Sequence, residues 1–244
     1  MDLVKFIQKL RRKVLPNLRY LPQSVIRTCS CCGKITIIVS LSEGEELKLC
    51  LRCRASLRYE MLAGYLRKTC PDFTQLEVME LAPSSPLSGF LSGAKLHVRT
   101  YYSEIDPKGS CRPDGARCED ITCLTFPDNS FDLIISGDVL EHVPDPNAAF
   151  RETFRVLRPG GFHLFTVPTA EKTVRRAEIV DGTVRHLISP EYHSDPLNPQ
   201  GILAFWTFGM DLGELFSCDG LRISIVSGPS GKDGRVVWKA EKLR

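Results

Sequence analysis

Long apolar runs are what this sequence of 244 residues most clearly lacks. No stretch of about 18 apolar residues occurs, so no membrane-spanning helix is expected. The N-terminal segment MDLVKFIQKLRRKVLP mixes basic residues among its apolar ones, and it therefore lacks the uninterrupted apolar core of a signal peptide. These absences predict a cytoplasmic protein, whose ten cysteines are not expected to form disulfide bonds.

Positive charge is concentrated at the front of the chain. Residues 1–68 hold 14 Lys and Arg against 5 Asp and Glu, a balance of +9. The other 176 residues hold 18 against 24, a balance of −6. This asymmetry indicates two modules, of which the basic one faces either an anionic partner or the acidic body.

Residues 1–20 are predicted to hold a basic amphipathic helix. Residues 2–15 place apolar side chains on one helical face and basic side chains elsewhere, and Pro16 ends the pattern. Such a helix suits peripheral contact with a membrane surface or with RNA. It also suits a helix that packs on the body with its lysines extended into solvent.

The strongest local pattern, within residues 26–56, is a pair of C-x-x-C motifs. At this spacing two thiolates converge, and two such pairs complete a tetrahedron about one metal ion. Gly33 follows the first pair, where the turn needs an unusual backbone conformation. Residues 34–49 are predicted to form strand, turn and strand, which together give a zinc-ribbon-like module. The ligands predicted for its structural Zn²⁺ are Cys29, Cys32, Cys50 and Cys53.

The alternative for these cysteines is a set of reduced thiols without a metal. A closed site of four thiolates holds structure and has no open position for chemistry. Cys31 lies beside one predicted ligand and is expected to be a bystander. The remaining cysteines show no ligand spacing and are expected to behave as small apolar residues. They are Cys70, Cys111, Cys118, Cys123 and Cys218.

From residue 57 onward the sequence alternates strands and helices. Apolar runs at 76–81, 131–136 and 162–168 predict buried parallel strands. The segments LRISIVSG and GRVVWKAEK predict a C-terminal antiparallel hairpin. Residues 57–244 are therefore predicted to form an open α/β sheet, whose ligands bind beyond the carboxyl ends of its strands.

Acidic residues stand at those strand ends. Glu80, Glu104 and Asp120 accompany three successive strands, and residues 136–138 follow the fourth. Acids along one crevice suit a ligand with a cationic end and several hydroxyl and amine donors. The loop ELAPSSP has no glycine and two prolines that lack N–H groups, so it is poorly suited to a pyrophosphate. Ser85 could still cap the following helix, whose start could receive a carboxylate.

At this point the sequence resembles a known family. The segment DITCLTFPDNSFDLIISGDVLEHVPDPNAAFRETFRVLRPGGFHLFTVP resembles the second half of a class I S-adenosylmethionine-dependent methyltransferase with a type 11-like domain. The resemblance covers roughly residues 76–168. The cysteine-rich front, with CRASLRYEMLAGYL, VMELAPSSPL and PEYHSDP, resembles bacterial methyltransferase-domain proteins that carry an N-terminal zinc ribbon. The resemblance implies a Rossmann-like fold and S-adenosylmethionine as cofactor.

On the methionine side of the cofactor, the resemblance implies five positions. Glu80 matches the acid near the methionine amino group, and Ser136 and Gly137 match the backbone floor beneath the methionine moiety. Ala82 and Ser84 fall where the family usually has glycines. Side chains therefore stand where backbone usually approaches the cofactor closely.

On the adenosine side, the resemblance implies three further positions. Glu104 matches the acid that binds both ribose hydroxyls. Asp120 matches the residue that accepts from the adenine amino group, and Ile121 lies along the ring. His142, in the segment LEHV, is expected beside the site.

The acceptor is expected on the side of residues 169–200, an insertion after the fifth strand that can overhang the crevice. Methyl transfer from a sulfonium depends on alignment, and an oxygen acceptor also needs a base. The candidate catalytic residues are Asp138, His142 and His193, of which His193 is the preferred base. A loop histidine hydrogen-bonded to Asp195 is the alternative for His193.

Three functions stay open on the sequence alone. The first is methyl transfer to a small-molecule or glycan-type acceptor, for which Arg175 and Arg176 are either an anion clamp or solvated charges. The second is an RNA methyltransferase with a basic front, although the few aromatic residues there form no evident stacking platform. The third is a non-catalytic protein of the same fold, which the loop without glycine suggests.

Overall fold

A computed structural model describes residues 15–44, 47–193, 200–230 and 234–243 of the chain. The predicted helix over residues 2–15 lies outside the described residues except for its last position. That residue begins a 3-10 helix, Leu15–Gln23. Within the described ranges, no helix has the length and apolar character needed to cross a membrane.

The four-cysteine module contains a small antiparallel sheet. Its strands are β1 (Val25–Thr28), β2 (Ile35–Ser40) and β3 (Lys48–Cys50), in the order β1-β2-β3. Strands β2 and β3 pair with Ile38 opposite Cys50, so the predicted strand, turn and strand are present between the two cysteine pairs.

The body combines a central sheet, helices and an insertion of short strands. It begins with α1 (Leu57–Thr69), β4 (Glu77–Glu80), α2 (Ser88–Leu91), β5 (Leu96–Tyr101), β6 (Arg117–Cys118), β7 (Phe131–Gly137), α3 (Pro146–Val156) and β8 (Leu157–Thr166). The insertion contains β9 (Thr169–Ala170), β10 (Val174–Arg175), β11 (Ala177–Val180), β12 (Thr183–His186), β13 (Tyr192–His193), β14 (Ile202–Leu203) and β15 (Trp206–Gly209). The chain closes with α4 (Leu212–Phe216), β16 (Leu221–Ser230) and β17 (Arg235–Lys242).

Seven strands form the central sheet, in the order β16-β17-β8-β7-β4-β5-β6. The five strands from β8 to β6 are parallel to their neighbours. Strand β17 is antiparallel to β8 and to β16. This arrangement confirms the prediction of a mostly parallel, Rossmann-like class I methyltransferase sheet with an antiparallel C-terminal hairpin.

Local sequence explains how α3 gives way to β8. Pro146 starts α3, and the side chain of Asp145 accepts a hydrogen bond from the Ala148 N–H at 3.2 Å. The helix ends at Val156, before the sequence Arg-Pro-Gly-Gly, because β8 already begins at Leu157. A Cβ at Gly161 would lie 2.9 Å from a carbonyl oxygen of β7, so only glycine allows this close approach of the two strands.

The helix predicted after the loop ELAPSSP is short. Helix α2 spans only four residues and begins at Ser88, later than the predicted start at Pro86. The Ser85 hydroxyl nevertheless accepts from the Leu87 N–H at 2.9 Å, which satisfies one backbone donor of this turn.

The four-cysteine module shares its core with the body. Buried residues of the module, including Ile38, pack in one cluster with Leu62 of α1 and Val78 of β4. Strand β1 is also tied to α1 by Glu60, which is 5% exposed and accepts from both terminal nitrogens of Arg27, at 2.6 and 2.9 Å. Residues on both sides of the predicted boundary near residue 56 therefore share one core cluster.

Candidate cofactor crevice, acceptor site and metal site

The order of strands creates a crevice between β4 and β7. From β4 the chain continues outward through β5 and β6, and then returns to form β7 on the other side of β4. In sheets of this kind ligands bind where the strand order reverses, beyond the carboxyl ends of the strands. Glu80 ends β4 and Gly137 ends β7, so the predicted methionine-side residues border the reversal point.

Glu80 organises the loop that follows β4. Its buried carboxylate accepts from the Ser85 hydroxyl, from the Ser88 hydroxyl at 2.9 Å, and pairs with His97 Nε2 at 2.9 Å. These contacts fold residues 81–86 back over the strand end. None of these residues, all of which are described, has a positive φ, so the loop does not require glycine. Ala82 is half-buried within it and Ser84 is exposed.

The predicted adenosine-side residues lie at the ends of the next strands. Glu104 is exposed, whereas Ile121 is 9% exposed and packs in the core. Asp120 accepts from the Thr122 N–H at 2.9 Å, which fixes the carboxylate. Burial raises the pKa of Tyr102, and the charges of Glu104 and Asp120 raise it further. Tyr102, a tyrosine that sequence reasoning missed, therefore lies near both predicted ribose- and adenine-binding acids.

The floor of the crevice is formed by the end of β7. The Ser136 hydroxyl is hydrogen-bonded to His163 Nε2 at 2.8 Å, and burial lowers the pKa of His163 to about 3, so this histidine is neutral. A Cβ on Gly137 would lie 3.5 Å from the ring of Tyr59, which faces the floor from α1. Sequence reasoning missed Tyr59, because only tertiary packing brings α1 to this strand end.

Asp138, predicted as a catalytic residue, is held in an ion-pair cluster. Its carboxylate pairs with Arg58, lies 3.2 Å from Arg235 Nη1, and accepts from the Thr166 hydroxyl at 2.8 Å. Although burial raises the pKa of Asp138, the two guanidinium groups and the hydroxyl lower it overall. A carboxylate engaged in this way is a weak proton acceptor, so these contacts give no support to Asp138 as a base. The carboxylate instead connects α1, β8 and β17.

Asp138→Asn should lower the free energy of unfolding by about 3 kcal/mol at neutral pH, because two guanidinium groups would lose their buried counter-charge. The depressed pKa means that this stabilisation is present above the ordinary aspartate pKa and is lost as the pH falls through the folded-state pKa. Urea denaturation between neutral and acidic pH should therefore show a weaker acid dependence in the variant.

The matched control is Asp128→Asn. Asp128 pairs with Arg155 at 2.8 Å, but its side chain is 69% exposed, and an exposed pair contributes less than about 1 kcal/mol. Equal stability of the two variants at neutral pH would contradict the structural role given to Asp138.

The two predicted catalytic histidines lie together. His142 belongs to a 3-10 helix, Leu140–His142, directly after β7, and His193 lies on β13. Their rings are 4.9 Å apart and nearly perpendicular. Asp195 lies outside the described residues; His193 Nδ1 instead lies 3.6 Å from Glu141 Oε1, and this carboxylate raises the pKa of His193.

Glu141 is the acid of this site that sequence reasoning missed. It is 1% exposed, and neither carboxylate oxygen has a hydrogen-bond partner among the described residues. Its only sequence signal is one acid inside the apolar segment VLEHV, which does not distinguish a buried acid from an exposed one.

The arginines predicted as a possible anion clamp are engaged within the insertion. Arg176 donates to the Ser189 carbonyl at 3.0 Å and to the Thr207 hydroxyl at 3.0 Å, and it pairs with Glu191 at 3.2 Å. Arg175 pairs with a neighbouring glutamate of β11 at 3.1 Å. These contacts hold the short strands of the insertion in register.

The four predicted metal ligands converge. The Sγ atoms of Cys29 and Cys53 are 3.7 Å apart, those of Cys32 and Cys50 are 4.0 Å apart, and all four lie within 4.8 Å of one another. Tetrahedral coordination with Zn–S bonds of about 2.3 Å gives sulfur separations of about 3.8 Å. The cluster therefore has the dimensions of a four-thiolate zinc site.

Backbone conformation repeats in the two cysteine pairs. The residue after each pair has a positive φ, +69° at Gly33 and +63° at Arg54. The thiol of Cys31 is engaged elsewhere, because its Sγ donates to the Pro86 carbonyl at 3.1 Å. Burial raises the pKa of Cys31 to about 12, so its thiol is neutral, as expected for a bystander.

A cavity of about 500 Å³ lies away from the crevice, at the seam between module and body. Arg27 and Glu60 line it, together with residues of α1 and β16. It includes none of the predicted site residues.

Comparison with known proteins agrees with the fold. Residues 99–165 match a family model described as a methyltransferase domain. A probable S-adenosylmethionine-dependent methyltransferase of Mycolicibacterium smegmatis is 36% identical over 72 residues, which cover 30% of this chain and 24% of that protein. Phosphoethanolamine N-methyltransferase of Triticum aestivum is 50% identical over 42 residues, which cover 17% of this chain and 8% of that protein.

Among solved structures, an S-adenosylmethionine-dependent methyltransferase from Mesorhizobium loti matches with a TM-score of 0.47 and 20% identity, covering 72% of this chain and 95% of that one. The chain spans less than a quarter of the length of the two curated relatives it matches. Sheet order and the matched segment together define the class I methyltransferase fold.

Proposed function

We propose that this protein transfers a methyl group from S-adenosylmethionine to a small-molecule acceptor, with a glycan-type molecule as one such acceptor. The observation that carries the proposal is the location of the matched methyltransferase segment, residues 99–165. It contains the acids after β5 and β6, the floor at the end of β7 and the acceptor-side histidine. The floor lies at the strand-order reversal between β4 and β7, and the two acids follow the next strands outward from β4.

One group of residues fits the adenosine part of this cofactor, and another group fits its methionine part. Glu104 would accept from the ribose hydroxyls, Asp120 would accept from the adenine amino group, and Ile121 would pack along the ring. Ser136 and Gly137 would form the floor under the methionine moiety. S-adenosylmethionine supplies the electrophilic methyl group when it is bound.

Glu80 would act through the loop it organises. Its carboxylate is already engaged by two serines and a histidine, so it positions the backbone of Ala82 and Ser84 for the methionine end. Because the cofactor has no phosphate, this loop does not need the row of N–H groups that a dinucleotide requires.

The insertion would form the acceptor wall. It carries His193 across from His142, and these imidazoles are the groups placed to manage the proton of an oxygen acceptor. Alignment of acceptor and cofactor would supply much of the rate.

A structural Zn²⁺ on the four cysteines belongs to the same proposal. The metal would stabilise the module and, through the contact of Cys31 with Pro86, the loop that borders the crevice. Thiolate ligands of this kind suit a reducing compartment such as the cytoplasm.

An RNA acceptor is the weaker alternative, because part of the basic front is used internally. Arg27 binds Glu60, Arg58 binds Asp138, and Arg67 donates to the Ser30 carbonyl at 2.8 Å. These guanidinium groups are therefore not available as a phosphate-binding surface.

The test is transfer of label from methyl-tritiated S-adenosylmethionine to fractionated cell extract. Label in the small-molecule fraction, absent with Glu104→Ala protein, is the expected result. Label in RNA would instead identify the protein as an RNA methyltransferase. No labelled product in any fraction, although cofactor binds, would favour a non-catalytic protein.

A further inference from the structure

We infer that Glu141, His142 and His193 form a second metal site, which binds a divalent first-row transition metal on the acceptor side. Each residue offers one donor atom, and the three atoms lie within 4.8 Å of one another. The site is separate from the four-cysteine cluster in both residues and ligand chemistry. A carboxylate with two imidazoles is a donor set that zinc and iron(II) use in enzymes.

The buried carboxylate of Glu141 is the observation that calls for a cation. It is 1% exposed, and both of its oxygens lack a hydrogen-bond partner among the described residues. A buried carboxylate without hydrogen bonds is costly, and proteins resolve that cost by pairing it or by coordinating a metal. The imidazole nitrogens beside it are His193 Nδ1, 3.6 Å from Oε1, and His142 Nε2, 3.9 Å from Oε1; both are within ion-pair distance but too far for a hydrogen bond.

The outer nitrogen of each histidine is held in the way that metal-binding histidines require. His142 Nδ1 is 2.9 Å from the Leu203 carbonyl oxygen, which can only accept, so Nδ1 donates there and Nε2 is the nitrogen on the side of Glu141. His193 Nε2 lies 3.3 Å from Glu191 Oε1, which leaves Nδ1 directed toward Glu141. Carbonyl and carboxylate partners of this kind orient ligating imidazoles and fix their tautomers.

The surrounding backbone fixes these partners in place. The Ala204 N–H donates to the Glu191 carbonyl at 2.9 Å, and the Phe205 N–H donates to the Glu141 carbonyl at 2.8 Å. The two residues between β14 and β15 therefore join the two sides of the site. Closure onto a metal with bonds of about 2.1 Å needs movements of about 1 Å by the two rings.

The site is partly open to solvent through its histidines. Glu141 is buried, whereas the side chains of His142 and His193 are 14% and 28% exposed. Three protein ligands leave at least one coordination position open, which is typical of catalytic rather than structural sites. The site directly follows β7, at the same sheet edge as the cofactor crevice.

A role for this metal in methyl transfer rests on the proposed function, whereas metal binding itself does not. With the metal bound, the two imidazoles would serve as ligands and would not take the acceptor's proton themselves. The open position would take the oxygen of a hydroxyl acceptor and lower its pKa, so that its proton passes to solvent. The acceptor oxygen then forms a bond to the methyl carbon while the carbon–sulfur bond breaks, and the electron pair stays on sulfur.

The test uses the full chain, first saturated with one equivalent of zinc and freed of excess, and then titrated with Co²⁺ by calorimetry and absorption. One further equivalent should bind, without the intense thiolate-to-cobalt bands of a cysteine site. His142→Ala and His193→Ala should each weaken this binding by at least about 100-fold, and Glu191→Gln by about tenfold. His186→Ala, an exposed histidine on β12, is the matched control and should bind as wild type does.

Glu141→Gln keeps the shape of the side chain and gives an independent readout. In chelator its melting temperature should equal or exceed that of wild type, because the buried charge is gone; with Co²⁺ present only wild type should be stabilised. Absence of a second bound metal at millimolar Co²⁺ would overturn the inference, as would equal binding by His142→Ala. Cofactor titration of the same samples separates the two ideas: binding of cofactor without a second metal refutes only the metal site, and the reverse result refutes only the proposed function.

Discussion

Glu104→Ala is expected to weaken binding of S-adenosylmethionine by at least about 100-fold, because it would remove the charge-assisted hydrogen bonds that we propose to both ribose hydroxyls. The residue is exposed at the end of β5 and makes no contribution to the core. The free energy of unfolding should therefore stay within about 0.5 kcal/mol of wild type. Calorimetry for the cofactor and urea denaturation for stability measure the two quantities.

Glu214→Ala provides the control, since Glu214 is also exposed but lies on α4. It changes the net charge by the same amount and should leave cofactor affinity unchanged. Wild-type affinity in Glu104→Ala would contradict the ribose-binding role. A loss shared by both variants would show a general effect of charge instead.

Cys50→Ser is expected to remove the zinc equivalent proposed for the four cysteines and to unfold the four-cysteine module. Binding of zinc supplies roughly 10 kcal/mol or more to small modules of this type, which far exceeds what three short strands contribute. Because the module shares a core cluster with α1 and β4, the loss should also lower the melting temperature of the body without unfolding it at room temperature.

Loss of zinc should also weaken cofactor binding in the crevice. Cys31 donates to the Pro86 carbonyl, so melting of the module removes a contact from the loop after β4. One hydrogen bond contributes about 1 kcal/mol, which corresponds to a decrease in cofactor affinity of up to about tenfold. Cys218→Ser, an exposed cysteine near α4, should change neither zinc content nor affinity. Zinc-free wild-type protein that is fully folded would contradict this account.

The central sheet could be predicted because its signals are local. The apolar run of β7 is buried on both faces, as its composition indicates, and Asp145 with Pro146 marks the start of α3 in the sequence itself. The spacing of the cysteines likewise predicts convergence of the four sulfur atoms. In each case the necessary residues lie within one element or one repeated motif.

The acceptor side could not be predicted to the same depth because its contacts are distant in sequence. Asp138 is held by Arg58, 80 residues away, and by Arg235, 97 residues away. The strands of the insertion are two to four residues long, too short for periodicity to identify. Glu141 contacts a segment far along the chain, since the Phe205 N–H donates to its carbonyl, and no local pattern encodes that contact.

Titration of the purified wild-type chain with S-adenosylmethionine and S-adenosylhomocysteine by calorimetry tests the central claim most directly. The crevice between β4 and β7 predicts one site per chain with micromolar affinity for both ligands. No detectable binding at millimolar ligand, by protein whose folding is verified by circular dichroism, would contradict the account and leave the fold as a non-catalytic scaffold.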